Sequence, residues 1–384
     1  MPKNNKRFIA LDSFRGLCAI SVAILHLNVL EAFSEIDLFR NASNFVDFFF
    51  ILSGFVMYHS YGNSKHDFSF RKLIISRTFR LYPLYITMLF VFICFELLKH
   101  QAEKYGFIFN NSAFTGGNSL DELLPSIFLV QTWIRESNGM SFNYPSWSIS
   151  IEYYIYILFG LILLLRNCIK YNLFLLLAAT SIFSLLTSNS IVKWEIASGL
   201  SCFFIGAIIN YFTNYYSELK FNPIAGTILE ASCITATYFV LVSDSTLKQV
   251  VCILLFATTI AVYSLESGFI SKILSARIFT YLGKLSYSIY MTHAAIIFIL
   301  ISSLGILSKF THYNFLTTSE NRSNEIIRYI STGSPSTDNI LVIITLLLVV
   351  ALSHYSYNLI ELKGIQFGKQ FNDTNYKNHR TESL

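Results

Sequence analysis

Arg15 and His26 stand eleven residues apart inside one apolar stretch, Phe8 to Leu30. Eleven residues at about 100° each make three turns plus about 20°. Both side chains therefore share one face of a helix, roughly 16 Å apart along its axis. A guanidinium and an imidazole on one stripe of a lipid-embedded helix are costly, so they face a protein interior or a wet cavity and read as functional. Their chemistries are complementary. A guanidinium fork holds phosphate or carboxylate, and an imidazole titrating near neutrality moves protons.

Other polar groups interrupt apolar segments in the same way. Arg77 and Arg80, just before Pro83, are three apart and share a helical face. They read either as positive anchors at the membrane surface or as a phosphate clamp. Glu152 lies about 8 Å along a helix that opens with Trp147 and Ser148, at a depth where a lone carboxylate is expensive. His293 sits deep in a span that also carries Lys284, Ser286 and Tyr287. Asp47 precedes Ser53-Gly54, a pair that permits close helix approach. Asp12 or Ser13 is placed to cap the first helix. Glu361 with Lys363, at the end of the last span, is a further polar group, whose plainest reading is a surface pair of little value.

The elements that position these groups follow from composition. The chain has 384 residues, 53% hydrophobic and 13% charged, with a mean hydropathy of +0.51. That is more apolar surface than a soluble domain of this size needs. The 36 phenylalanines and 23 tyrosines fit lipid-facing helices with interfacial belts. The net charge of +5 is not gathered into a basic patch on a soluble fold, which argues against nucleic-acid binding. Six cysteines without CxxC spacing read as small hydrophobes, not as disulfides or metal ligands. The first apolar stretch is too long, and with Asp12 and Arg15 too charged, for a cleaved leader. It reads as a permanent span.

Apolar runs predict an all-α membrane protein of about ten spans: 9–30, 45–61, 82–98, 147–166, 171–188, 194–213, 222–243, 247–265, 278–304 and 339–361. The run 120–134 is short and contains Pro125, so it reads as re-entrant or interfacial. With the N-terminus in the cytoplasm, inner segments hold seventeen lysines and arginines, among them Lys3, Lys6, Lys65, Lys220, Lys377 and Arg380. Outer segments hold nine, among them Arg40 and Arg322. Both termini are thus expected inside. The organisation is a membrane domain over 1–365 and a polar tail, 366–384, expected to be disordered. This topology puts His26, Asp47, Glu152 and His293 in an outer layer and Arg15, Arg77, Arg80, Lys284 and Glu361 in a basic inner one.

Taken together, the motifs resemble the membrane-bound acyltransferase-3 family of multi-pass O-acyltransferases that modify polysaccharides. The matching features are Arg15 with ten residues before His26, the run from Phe48 to Phe55, Arg77-x-x-Arg80-x-x-Pro83, Ser146-Trp147-Ser148 with Glu152, and Gly283-x-x-Ser286-Tyr287-x-x-Tyr290-x-x-His293. Tyr357 to Glu361 is similar to the family's last helix, with Lys363-Gly364 where a Lys-Pro-type continuation is usual. The resemblance spans nearly the whole chain and looks like that of a stand-alone member.

The resemblance implies an acyl-CoA donor, most often acetyl-CoA, taken from the cytoplasm, with no further cofactor and no metal. It implies a sugar hydroxyl as acceptor, on a surface glycan such as lipopolysaccharide or exopolysaccharide, or on a lipid-linked precursor, in a bacterial inner membrane. Arg77 and Arg80, with Arg15, would hold CoA phosphates. His26 would be the general base or an acyl-accepting nucleophile. Glu152 would orient an imidazole, and His293 would assist or bind acceptor. Trp147, Ser148 and Tyr287 would line the substrate path. A transporter or flippase for a glycan or small solute would use the same polar residues as a pathway, but calls for two similar halves, and no matching half is evident. A glycosyltransferase or polymerase acting on lipid-linked sugars would share the topology without needing acyl-CoA.

Overall fold

A computed structural model describes residues 7–62, 68–106, 109, 111–187, 192–216, 221–311, 313–320 and 326–381. Lys3, Lys6, Lys65, Lys220 and Arg322 lie outside the described residues. In chain order the helices are α1 (Ile9–Leu25), α2 (Asp37–Arg40), α3 (Phe45–Met57), α4 (Phe70–Lys104), α5 (Leu123–Ile127), α6 (Trp147–Leu163) and α7 (Asn167–Thr187). They continue with α8 (Trp194–Tyr216), α9 (Pro223–Val242), α10 (Lys248–Tyr263), α11 (Phe269–Leu274), α12 (Arg277–Thr311), α13 (Pro335–Ser356) and α14 (Leu362–Thr381). Each of the ten apolar runs coincides with a helix. Among the described residues, seven helical segments are long and apolar enough to cross a membrane, the last running from α13 into α14. α1, α3 and α10 are shorter, with 17, 13 and 16 residues. Residues 120–134 hold only the short α5 and turns.

The crossing of α1 and α12 positions the site. A Cβ on Gly16 would come within 2.4 Å of the Gly283 backbone nitrogen, and one on Gly283 within 2.2 Å of the Asp12 carbonyl. Two bare glycines thus let the backbones touch. From each, ten further residues lead to a histidine, Gly16 to His26 and Gly283 to His293. Equal rises of about 15 Å along neighbouring helices that run the same way bring the two imidazoles level. A second close approach, of Gly54 on α3 to the Phe203 carbonyl of α8, fixes the wall that carries Ser53.

Four features depart from the sequence reading. Ser13 does not cap α1: it lies inside the helix, and its hydroxyl donates to the Leu274 carbonyl at 2.7 Å. The first-turn N–H of Ala10 is instead satisfied by Glu266, at 3.1 Å. α4 begins at Phe70, so Pro83 lies within a helix and not at its start. The tail from Gln366 is helical through Thr381. Phe367 and Phe371, four apart, share one face and pack on Phe79 with ring centroids 5.2 and 6.1 Å away. Finally, the segment after α12 forms a hairpin, β1 (Leu316–Glu320) with β2 (Ile326–Ile330), Leu316 opposite Ile330. Ile330 donates to the Asn28 carbonyl at 2.9 Å and accepts from the Leu30 N–H at 2.8 Å, tying down the chain just beyond His26.

Candidate active site

The inner part of the site is a cavity of about 430 Å³ lined by Arg15, Arg77, Arg80, Ser53, Glu152, Tyr156 and Tyr287, among others. Among the described residues, none of the three guanidiniums makes a hydrogen bond or ion pair with protein. Arg77 Nε is buried without an acceptor, and its guanidinium lies 5.3 Å from the Tyr156 ring centre. The acidic counterweight is spread out. Glu361, Tyr156, Glu152 and Asp12 all act on Arg80 electrostatically, with no ion pair to any of them. Glu361, 2% exposed, accepts from Ser288 Oγ at 2.8 Å. It is therefore buried behind this wall and not a surface partner of Lys363. The widened helical turn Tyr357–Glu361, between α13 and α14, carries it there.

Glu152 does not orient an imidazole. Its Oε1 accepts from Ser53 Oγ at 2.7 Å and from the Tyr156 hydroxyl. Only five residues into α6, it faces α3 and the arginines, so it belongs with the inner group and not the outer one. Arg15, Glu152 and Tyr287 also line a second cavity, of about 450 Å³, which they share with Ser148, Ser286 and Tyr290. The two cavities therefore adjoin. Tyr287 is held by its bond to the Leu81 carbonyl at 2.6 Å, and Ser148 Oγ lies 2.8 Å from the Tyr290 hydroxyl. Trp147 lines neither cavity. It packs against Phe50 and Trp194. Asp47 is buried on α3, accepting from Ser198, also away from both cavities. Lys284 lies over the Tyr357 ring at 4.8 Å.

Beyond Tyr290 stand the imidazoles. The Tyr290 and His293 ring centres are 6.0 Å apart, and His293 stacks on His26 at 5.4 Å with 21° between planes. Tyr144 closes against both rings, 4.5 Å from His26 and 6.0 Å from His293. Neither cavity is lined by a histidine, so Tyr290 forms the partition between cavity and imidazoles. Among the described residues nothing hydrogen-bonds to the His26 ring, which is half-buried. Its backbone is held firmly. Arg40 donates to the α1 carbonyl of Ile24 at 2.8 Å, to the Leu27 carbonyl just beyond the helix at 3.3 Å, and to Asn28 Oδ1 at 2.7 Å. A cation on the carbonyl end of a helix is favourable. Burial lowers the Arg40 guanidinium from its ordinary value, with Glu35 opposing.

The residues that sequence reasoning did not single out are Ser53's partner Tyr156, the clamp Arg40, and the Asn143-Tyr144 pair above the imidazoles. The signal for the first was available, since Glu152 and Tyr156 are four apart on one helix. Asn143 and Tyr144 sit in a loop with no periodicity to reveal them.

A membrane-embedded helical bundle with free guanidiniums on one side of a tyrosine partition and paired imidazoles on the other is arranged for group transfer. The chain belongs to the acyltransferase-3 family: the family's acyltransferase domain matches residues 8–360. It is a multi-pass membrane protein of that family. Among similar proteins are the acyltransferase MdmB of Streptomyces mycarofaciens, 28% identical over 171 residues, which cover 42% of this chain and 40% of that one. Protein 2 in the picA locus of Rhizobium radiobacter is 38% identical over 101 residues, 24% of this chain and 50% of that one. The chain thus matches half or less of the length of these relatives. No solved structure matches it.

Proposed function

We propose that this protein moves an acyl group, acetyl being the simplest case, from cytoplasmic acyl-CoA to a sugar hydroxyl of a surface glycan or its lipid-linked precursor. The observation that carries the reading is the cluster of three guanidiniums without protein acceptors in one cavity wall. Guanidinium forks suit phosphate oxygens, and CoA brings several phosphates on a thin arm that can thread past Tyr287 and Tyr290. The acceptor enters from the opposite side, under Tyr144.

In the proposed step His26 takes the proton of the attacking hydroxyl. The acceptor oxygen bonds to the thioester carbonyl carbon, the carbon–sulfur bond breaks, and the CoA thiolate recovers the proton from the imidazolium. The stack on His293 and the Arg40 clamp hold the base in place. Glu152 balances charge beside Arg15 and keeps Ser53 and Tyr156 out of the phosphate path. The inner side of the bundle is cytoplasmic in this reading, both termini lie inside, and α1, α3 and α10 complete ten spans.

Thermal unfolding of the full-length purified protein tests the donor. Acetyl-CoA raises the midpoint and sugar nucleotides do not. Stabilisation by a sugar nucleotide alone would replace this reading with a glycosyltransferase.

A further inference from the structure

The second cavity has two unlike walls. Helix α3 contributes Val46, Phe49 and Phe50, three apolar side chains at i, i+3 and i+4 and so on one helical face. Helix α12 contributes Ser286, Tyr287 and Tyr290, every one a hydroxyl. A ligand that fits between them carries a polar atom toward α12 and a hydrocarbon end toward α3. An acyl thioester has that form. Its carbonyl oxygen accepts hydrogen bonds, and the Ser148–Tyr290 pair holds two hydroxyl hydrogens but needs one between its members. The other has the Pro145 carbonyl at 3.3 Å, longer than an ordinary hydroxyl bond, so it is available to a ligand.

The apolar face is short. Val46 to Phe50 is about 6 Å along the helix axis. An extended chain advances about 3.5 Å over three bonds, so about five bonds cover the face. The wall is also backed and cannot withdraw. Phe50 is 3% exposed and packs on Trp147, and a Cβ on Gly199 of α8 would already lie 3.4 Å from its ring. Val46, at the far end of the face, is buried as well.

We infer that the second cavity is the acyl site, with the hydrocarbon end of the donor on Val46, Phe49 and Phe50, and that it selects a short acyl chain longer than acetyl, butyryl being the best fit. The inference rests on the reading of the protein as an acyl-CoA-dependent acyltransferase. The second cavity adjoins the arginine cavity at Arg15, Glu152 and Tyr287, so a donor with its phosphates in one has its acyl end in the other. Acetyl binds but leaves most of the apolar face uncovered. Octanoyl overruns it.

Dissociation constants for acetyl-, butyryl- and octanoyl-CoA test this, taken from thermal unfolding of the full-length purified protein over a range of ligand concentrations. The three donors share every phosphate, so their ratios report the acyl end alone. Each buried methylene is expected to tighten binding about fourfold, which makes butyryl-CoA about fifteenfold tighter than acetyl-CoA. Octanoyl-CoA is expected to bind more weakly than butyryl-CoA. Phe49→Ala enlarges the cavity and should improve octanoyl-CoA relative to butyryl-CoA by about tenfold. Should that variant fail to accumulate, Val46→Phe fills the far end and should erase the advantage of butyryl over acetyl. Equal affinity for acetyl- and butyryl-CoA, octanoyl-CoA tighter than butyryl-CoA in the wild type, or an unmoved ratio in whichever variant folds would each overturn the inference. Failure of all three donors to stabilise the protein would instead overturn the function on which it rests.

Discussion

The two ends of the site differ in what they leave unpaired. Around Arg15, Arg77 and Arg80 the surplus is of donors, including a buried Nε on Arg77. Around Asn143 and His293 the surplus is of acceptors. A protein interior normally pairs its polar groups internally, and an unpaired one is destabilising wherever it sits. Here the two surpluses have opposite sign, on opposite sides of Tyr290. That is the polarity expected of a protein that receives an anion on one side and a hydrogen-bond donor on the other. A solute pathway would present one lining to one solute. The comparison also separates roles that the sequence alone merges. Glu152 and His26 both look like catalytic groups in an apolar helix, yet only His26 is on the imidazole side of Tyr290.

The comparison can be broken at either end. The largest effect is expected for His26→Ala, which should lower acetyl transfer by about 10²- to 10⁴-fold, the range for a general base, while acetyl-CoA still stabilises the protein. Normal transfer at normal protein levels would remove His26 from the chemistry. Next, Arg77→Ala should raise KM for acetyl-CoA by about ten- to a hundredfold, as for a lost hydrogen bond to a charged group. It should scarcely change KM for S-acetylpantetheine, which lacks the phosphates. An equal loss with both donors would mean that Arg77 supports the fold and not the anion. A smaller change, about three- to tenfold in KM for acetyl-CoA, is expected for Ser53→Ala, which strips Glu152 of one of its two hydroxyl partners and frees it to compete for the guanidiniums. If Ser53→Ala alters acceptor KM instead, Glu152 has been put on the wrong side. The smallest effect, about two- to fivefold on the same constant, is expected for Phe367→Ala with Phe371→Ala. These rings hold α14 against Phe79, between the two arginines of α4.

The apolar runs made the helices legible, and the helix register of Arg15 and His26 made their shared face legible. The meeting of His26 with His293 was written in the sequence too, as a glycine ten residues before each histidine, but equal spacings become contact only once two helices are known to cross at those glycines. The level of Glu152 was misjudged because span edges in an apolar run are uncertain by a turn or more, and a turn is enough to move a carboxylate from one layer to the other. Helix α14 was hidden by its polarity, because two phenylalanines on one face carry little weight in an average. Asn143 was hidden because loops carry no period, and its meaning comes from one bond to Met291 across 148 residues of chain.

The central claim is that acyl-CoA lies with its phosphates among Arg15, Arg77 and Arg80 and its acyl carbon beyond the tyrosines. An electron cryomicroscopy structure of the full-length protein with acetonyl-CoA, which replaces the cleavable thioester with a ketone, tests it most directly. The account predicts phosphate density against those guanidiniums and the ketone beside Tyr290 and the His26–His293 pair. Phosphates bound elsewhere, or a ketone on the far side of Glu152 from the imidazoles, would contradict it.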